Sequence, residues 1–295
     1  MSDWLAKRKQ GIGGSDVAAI CGLSPWKTPY QVYELKVGDG IPQEQNDAMA
    51  YGMLMEPAIR QWYSNNTGRT VVVPELLVHP KYDFIIGSLD GIADGCRVWE
   101  GKTSRSNQDW GEPGSDEIPV YYATQVQWYM MITALPVADV TVSFAGSLPV
   151  NYEVPADVEL QEMLIEKAVE FWKLVMSRTP PEPIGFFDAI ARFGRSSVAA
   201  TVTAGRDEEA AWARLKAIAR EQKTLEEEAE SLKSEIMKAM RENDTLVDLA
   251  GKSLVTWKAV KAGTTLDGKA LQADMPDIYA KYLKPKVASR RFILK

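Results

Sequence analysis

Hydrophobic spacing divides the chain into an opening with helical periodicity, a β-rich middle that also carries helices, and a long tail helix with a heptad seam. In the opening, GGSDVAAICG reads as a helix start with Ser15 near the cap. TPYQVYELKVG follows, with Pro29 in its first turn and Gly38 as its stop. Residues 46–66 read as an amphipathic helix entered through Asn46 and Asp47, which Pro57 kinks or breaks. Then the period changes. Residues 70–80, 84–93 and 96–104 are rich in β-formers with turn residues between them, and Asp94-Gly95 is a hairpin signal. Residues 105–116 form a polar Gly/Pro loop. A helix is predicted over 117–134, strands over 137–146 and 148–155, and a helix over 156–177. Helices followed by a sheet with helices packed on it predict an α/β (α+β) fold.

The last third differs. PPEPIGFF (180–187) has boundary composition. Residues 207–242 form a long charged helix of roughly 50 Å. Its Leu215, Ile218, Gln222, Leu225, Ala229, Leu232, Ile236 and Ala239 follow three-four spacing, a heptad seam with one polar position. The seam serves either an antiparallel packing helix within one subunit or an intermolecular coil. SLVTWKAVK and RRFILK then read as paired strands. The organisation expected is a body over 1–190, a linker over 191–206, the helix over 207–243 and a small basic β element over 244–295.

Composition narrows the chemistry. Of the 295 residues, 45% are hydrophobic and 25% charged, which is enough to bury a core in a soluble globular protein. No apolar leader or membrane-length run is present, so the cytoplasm is the default. Two cysteines with no zinc spacing and a single histidine, His79, disfavour disulfide frameworks, His-rich metal sites and histidine triads. Catalysis would have to run on carboxylates, Lys, Ser or Tyr. Residues 1–195 carry 16 basic and 25 acidic side chains, net −9; residues 245–295 carry 10 and 4, net +6. An acidic body with a basic tail fits a metal–carboxylate site that needs separate cationic help with a polyanion, or simply a solvated tail.

Three Glu-x-Lys triplets occur: Glu34/Lys36, Glu100/Lys102 and Glu221/Lys223. The first and last fall in helices, where residues two apart diverge by about 200°. Only Glu100 and Lys102 lie on a strand, on one face. Asp90 ends the preceding strand. A two-residue turn would pair it with Trp99 and a three-residue turn with Glu100, about 5 Å away. Two carboxylates and an ammonium suit phosphodiester hydrolysis with Mg²⁺, or Mn²⁺ as a substitute. The bland alternative is a surface salt bridge.

Asp90 followed by Glu100-x-Lys102 resembles the PD-(D/E)XK nuclease superfamily, whose core is a central mixed sheet flanked by helices. Glu56 stands on a helix ahead of the sheet, where many members place a further metal ligand. Gln125 and Tyr129, one helical turn apart and so on one face, match a signature of the RecB-like branch. The N-terminal stretch is similar to the λ-exonuclease-like, YqaJ viral recombinase family, in which an arginine and a serine seven residues later bind the terminal 5′-phosphate; Arg8 and Ser15 match in type and spacing. Arginine suits phosphate bidentately, and Gly13-Gly14-Ser15 offers backbone N–H groups and a hydroxyl. Leu89 replaces the usual proline before Asp90, and Gly101 replaces an apolar β-former.

The resemblance covers roughly residues 4–185. It implies a Mg²⁺-dependent 5′→3′ exonuclease on linear double-stranded DNA, from phage or prophage, that leaves a 3′ tail for a single-strand annealing protein. Glu56, Asp90, Glu100 and the Gly101 carbonyl would hold metal. Lys102 and Gln125 would position water, while Arg8 and Ser15, with Tyr129 nearby, would hold the DNA end. A homo-oligomer, a trimer, is implied. The alternatives are a RecB-like nuclease of other polarity or an endonuclease, and a non-catalytic DNA-end-binding scaffold. No ATP-binding loop is present.

Overall fold

The computed structural model describes residues 9–38, 45–195, 200–284 and 289–295. The chain divides into two compact units, Met1–Phe193 and Gly194–Lys295.

The first unit opens with α1 (Gly14–Ile20) and α2 (Pro29–Val37). Thr28 caps α2 by accepting from the Gln31 N–H, and Gly38 closes it in a left-handed conformation. Helix α3 (Asp47–Thr67) is capped by Asn46, which accepts from the Met49 N–H, and runs on through Pro57. Its buried stripe is narrow, with only Ile59 and Tyr63 fully covered.

The predicted strands are more broken than their spacing implied. Residues 70–80 give only β1 (Val71–Val72) and β2 (Leu77–Val78). Pro74 stands between them and cannot donate to a ladder. Residues 84–93 split into β3 (Ile86–Gly87) and β4 (Gly91–Ala93). Then come β5 (Arg97–Ser104), α4 (Val120–Thr133), β6 (Val137–Phe144), β7 (Val150–Pro155), α5 (Val158–Met176) and α6 (Phe186–Phe193). Helix α4 starts three residues later than its apolar spacing predicts, because Pro119 sits at its N-cap and biases Ile118 toward extended backbone.

The central sheet has the order β1-β4-β5-β6-β7. The β5–β6 pair is parallel, with α4 in the connection, and the other pairs are antiparallel. It is therefore the mixed sheet flanked by helices that the α/β reading predicts. One face carries the main core, where Val98, Val140 and Val142 meet Val126, Trp128 and Met130 of α4 and Leu164, Ala168 and Phe171 of α5. The other face is covered by α3, whose Ile59 and Tyr63 pack on Ala93 and Trp99.

The turn 94–96 joins β4 to β5 through three residues, with Ala93 opposite Arg97 and Gly91 opposite Trp99. Asp94 and Gly95 both take positive φ, 51° and 70°. Continuing this register sets Asp90 across from Glu100.

The second unit contains α7 (Arg206–Met240), β8 (Thr245–Val247), β9 (Ser253–Thr256), α8 (Gly268–Asp274) and α9 (Pro276–Lys281). Leu225 and Leu232 of the heptad seam are exposed. The small sheet differs from expectation. Strand β9 pairs with β8, not with RRFILK, and residues 290–295 form no strand. A nearby partner six residues back closes a hairpin at far less entropic cost than one some 35 residues away. Among the described residues, no helix is long and apolar enough to cross a membrane.

Candidate active site

Alternation along β5 sorts its side chains between two environments. Val98, Glu100 and Lys102 face α4; Trp99 and Gly101 face α3. The triplet thus meets Gln125, which α4 presents from above.

Glu100 is almost fully buried, at 1% exposure. Its Oε1 accepts from the Lys102 ammonium at 2.5 Å and from the Gln125 amide at 2.7 Å. Its Oε2 is buried and, among the described residues, has no hydrogen-bond partner. Burial, and then the negative charge of Asp90, push the Glu100 carboxyl well above the usual carboxylate range. Burial acts in the opposite sense on Lys102, but the carboxylates of Glu100 and Asp90 outweigh it, so its pKa is raised and it stays charged. The ammonium also lies 4.9 Å from the centre of the Tyr122 ring, a cation–π contact. Asp90 accepts from the Gly101 N–H at 3.1 Å, which ties the end of β4 to β5 at the triplet.

Gln125 bridges the site: its amide N–H groups reach Glu100 and the Tyr129 hydroxyl, and its oxygen lies 3.3 Å from the Lys102 ammonium. Tyr129 in turn lies against α1. A Cβ on Gly14 would stand 2.6 Å from the Tyr129 ring, so only glycine permits this approach. The segment before α1 is pinned to β3, where Ile12 N–H donates to the Phe84 carbonyl and Ile86 N–H donates to that of Ile12. Asp16 accepts from the Gly13 N–H and pairs with Lys36 at 2.7 Å, both side chains buried. This fixes Gly13, Gly14 and Ser15 at the rim. A pocket of about 220 Å³ is lined by these three together with Asp90, Glu100, Lys102, Gln125 and Tyr129.

Six of the nine residues singled out in the sequence therefore line one pocket. Gly101 lies on the adjoining backbone. Glu56 does not line the pocket, and its carboxylate is paired with Arg60 one turn along α3. It still senses the site: burial and the charge of Asp90 raise its pKa. Arg8 lies outside the described residues. Among the described residues no group of three or more His, Cys, Asp or Glu side chains is placed to hold a metal ion, although Glu56, Asp90 and Glu100 lie within electrostatic reach of one another. The donor chemistry nevertheless suits a hard cation. A buried carboxylate oxygen without a partner, next to a second carboxylate, is costly unless a proton or cation meets it.

Two features were not foreseen. The glycine at 101 is explained by its neighbour two along the strand. A Cβ there would stand 2.8 Å from the indole of Trp99, which lies over the position and donates to Thr141 Oγ1 at 3.0 Å. The second is Asp139, fully buried on the α3 side. Arg97 holds it with two hydrogen bonds of 2.8 Å, joined by Arg69, Tyr63 and Asn151. No sequence signal marks this group, since its partners are scattered from residue 63 to residue 151.

The chain is similar to several known proteins. Residues 3–136 match the YqaJ-like viral recombinase domain. The uncharacterized protein YqaJ of Bacillus subtilis (strain 168) is 29% identical, over 99% of this chain and 93% of that protein. An alkaline exonuclease from Laribacter hongkongensis, LHK-Exo, shares the fold with a TM-score of 0.52 at 20% identity, over 61% of this chain and 94% of that one. The same enzyme in complex with dAMP gives 0.51 at 19%.

Proposed function

We propose that this chain, which carries a YqaJ-like viral recombinase domain over residues 3–136, is a Mg²⁺-dependent 5′→3′ exonuclease on linear double-stranded DNA. Its product would be a 3′ single-stranded tail for an annealing protein. One observation carries the reading most: a buried glutamate with one oxygen held by Lys102 and Gln125 and the other without a partner, beside Asp90. A structural carboxylate has no reason to be left half-satisfied in a core.

Asp90, Glu100 and the Gly101 carbonyl would hold the cation, with Glu56 as the further donor named by the sequence. When bound, Mg²⁺ would polarise the scissile phosphate and lower the pKa of water. The chain's own side chains do the rest. Lys102, kept charged by its carboxylate neighbours, orients the attacking water and offsets charge developing on the phosphate. Gln125 fixes both Lys102 and the occupied oxygen of Glu100, leaving the other oxygen directed to its task. Ser15 at the rim, with Arg8, grips the terminal 5′-phosphate and so sets polarity. Resemblance to the family also supports a homotrimer, which a solution mass measurement would test.

A single assay separates this reading from its rivals. Linear duplex carrying a 5′-phosphate is incubated with Mg²⁺, each strand labelled in turn, beside a closed circle. Loss of a strand from its phosphorylated 5′ end, abolished by EDTA, is expected. Loss from the 3′ end, or cutting of the circle, would replace the proposal with another nuclease habit. Retention of DNA without cleavage would make the protein an end-binding scaffold.

A further inference from the structure

Beyond Lys102, a chain of rings leads from the site to solvent. The Lys102 ammonium lies 4.9 Å from the Tyr122 ring centre. Tyr122 meets Tyr121 edge-on at 4.5 Å, and Tyr121 meets Trp26 edge-on at 4.7 Å. Tyr122 is anchored inward on Trp110, itself set against Tyr152 and Phe144. The outermost ring is different. Trp26 is 59% exposed.

The loop holding Trp26 is fixed. Ser24 Oγ accepts from the N–H groups of both Trp26 and Lys27, at 3.2 and 3.3 Å. Thr28 then caps α2 and donates to Asp188 at 2.9 Å. The indole is thus presented to solvent by a well-tied turn, with a tyrosine edge supporting it and a lysine next in the chain. A lone exposed aromatic needs no explanation. An exposed indole on a rigid turn, in ring contact with the residues beneath a half-buried lysine, asks for a flat apolar partner.

We infer that Trp26, backed by Tyr121, is a stacking platform for an unpaired base of the DNA strand held at the Asp90–Glu100–Lys102 site. This rests on the nuclease reading above for the identity of the strand. Three contacts of under 5 Å set the platform within a few nucleotides of Lys102, at roughly 3.4 Å of rise per nucleotide. Base faces are covered inside a duplex, so the platform engages only a strand already parted from its complement. Stacking on aromatic side chains tolerates any base, which suits an enzyme that must traverse arbitrary sequence. It also supplies grip without positive charge, which the acidic body of the chain lacks.

The test is metal-free binding, read by fluorescence anisotropy of a 5′-phosphorylated oligothymidylate in EDTA, with the same oligonucleotide made abasic as control. Full-length wild type, Trp26→Ala and Trp26→Phe are compared after melting curves establish that each is folded. Trp26→Ala should weaken binding of the base-bearing strand by about 5- to 150-fold, with Trp26→Phe between, while abasic binding is the same for all three. Equal loss on both strands would make Trp26 a structural residue, and no loss on either would remove the platform. Failure of the wild type to shorten duplex would sink the exonuclease reading alone; the base-dependent ratio decides the platform independently.

Discussion

Two carboxylates sit on neighbouring central strands of one sheet, both buried, and they are treated in opposite ways. Asp139 of β6, on the α3 side, is saturated: two hydrogen bonds from Arg97, with Arg69, Tyr63 and Asn151 around them. Glu100 of β5, on the α4 side, has Lys102 and Gln125 on one oxygen and, among the described residues, no hydrogen-bond partner on the other. Removing a charge from water is tolerated only with compensation. At Asp139 the chain supplies all of it, so that carboxylate is part of the architecture. At Glu100 the described residues supply half, and a proton or a cation has to supply the rest. The contrast separates structure from function more sharply than burial or residue type does.

The largest expected effect on folding is at the saturated carboxylate. Asp139→Asn removes the buried carboxylate that Arg97 and Arg69 share, leaving Arg97 with Glu153, and should cost about 3 kcal/mol, lowering the melting temperature by roughly 10 °C. Nuclease activity should survive at temperatures where the variant is folded. Loss of activity without loss of stability would erase the distinction drawn here.

Gln125→Ala comes next. It removes one of the two donors on Glu100 Oε1, leaving Lys102 there, and releases Lys102 from the Gln125 oxygen. Cleavage should fall about 10- to 100-fold, as when a partner orienting a metal ligand is lost, with little change in melting. Wild-type rates would show that Glu100 needs no orientation from α4.

Gly101→Ala probes the opposite face of the same strand. The added methyl meets the Trp99 indole at 2.8 Å, an overpacking cost of about 1–3 kcal/mol. In a Trp99→Phe background, where the smaller ring makes room, the penalty should shrink. An unchanged penalty would place the glycine requirement in the backbone instead.

Much of this was legible in the sequence because it depends on local rules. Start and stop residues at Asn46, Pro29 and Gly38 mark their helices, and the period of two separates Glu100/Lys102 from the two helical triplets. The hairpin turn brought Asp90 to that pair with its register left open, and gathering Gln125 and Ser15 there needed the family resemblance. What was hidden depends on contacts between distant segments. The three-residue turn that sets Asp90 across from Glu100, the indole that forbids a side chain at 101, and the Asp139 cluster all arise from packing. Glu56 shows the limit of the motif itself. Its place on α3 was predictable, but its engagement by Arg60 was not, although the i,i+4 spacing held the clue.

Glu100→Gln tests the central claim most directly. The amide keeps an oxygen for Lys102 and Gln125 but removes the negative charge and replaces the unpartnered oxygen. The rate of 5′-strand loss from phosphorylated linear duplex in Mg²⁺, measured where melting shows the variant folded, should drop by more than about 10²-fold. Cleavage at the wild-type rate would contradict the account.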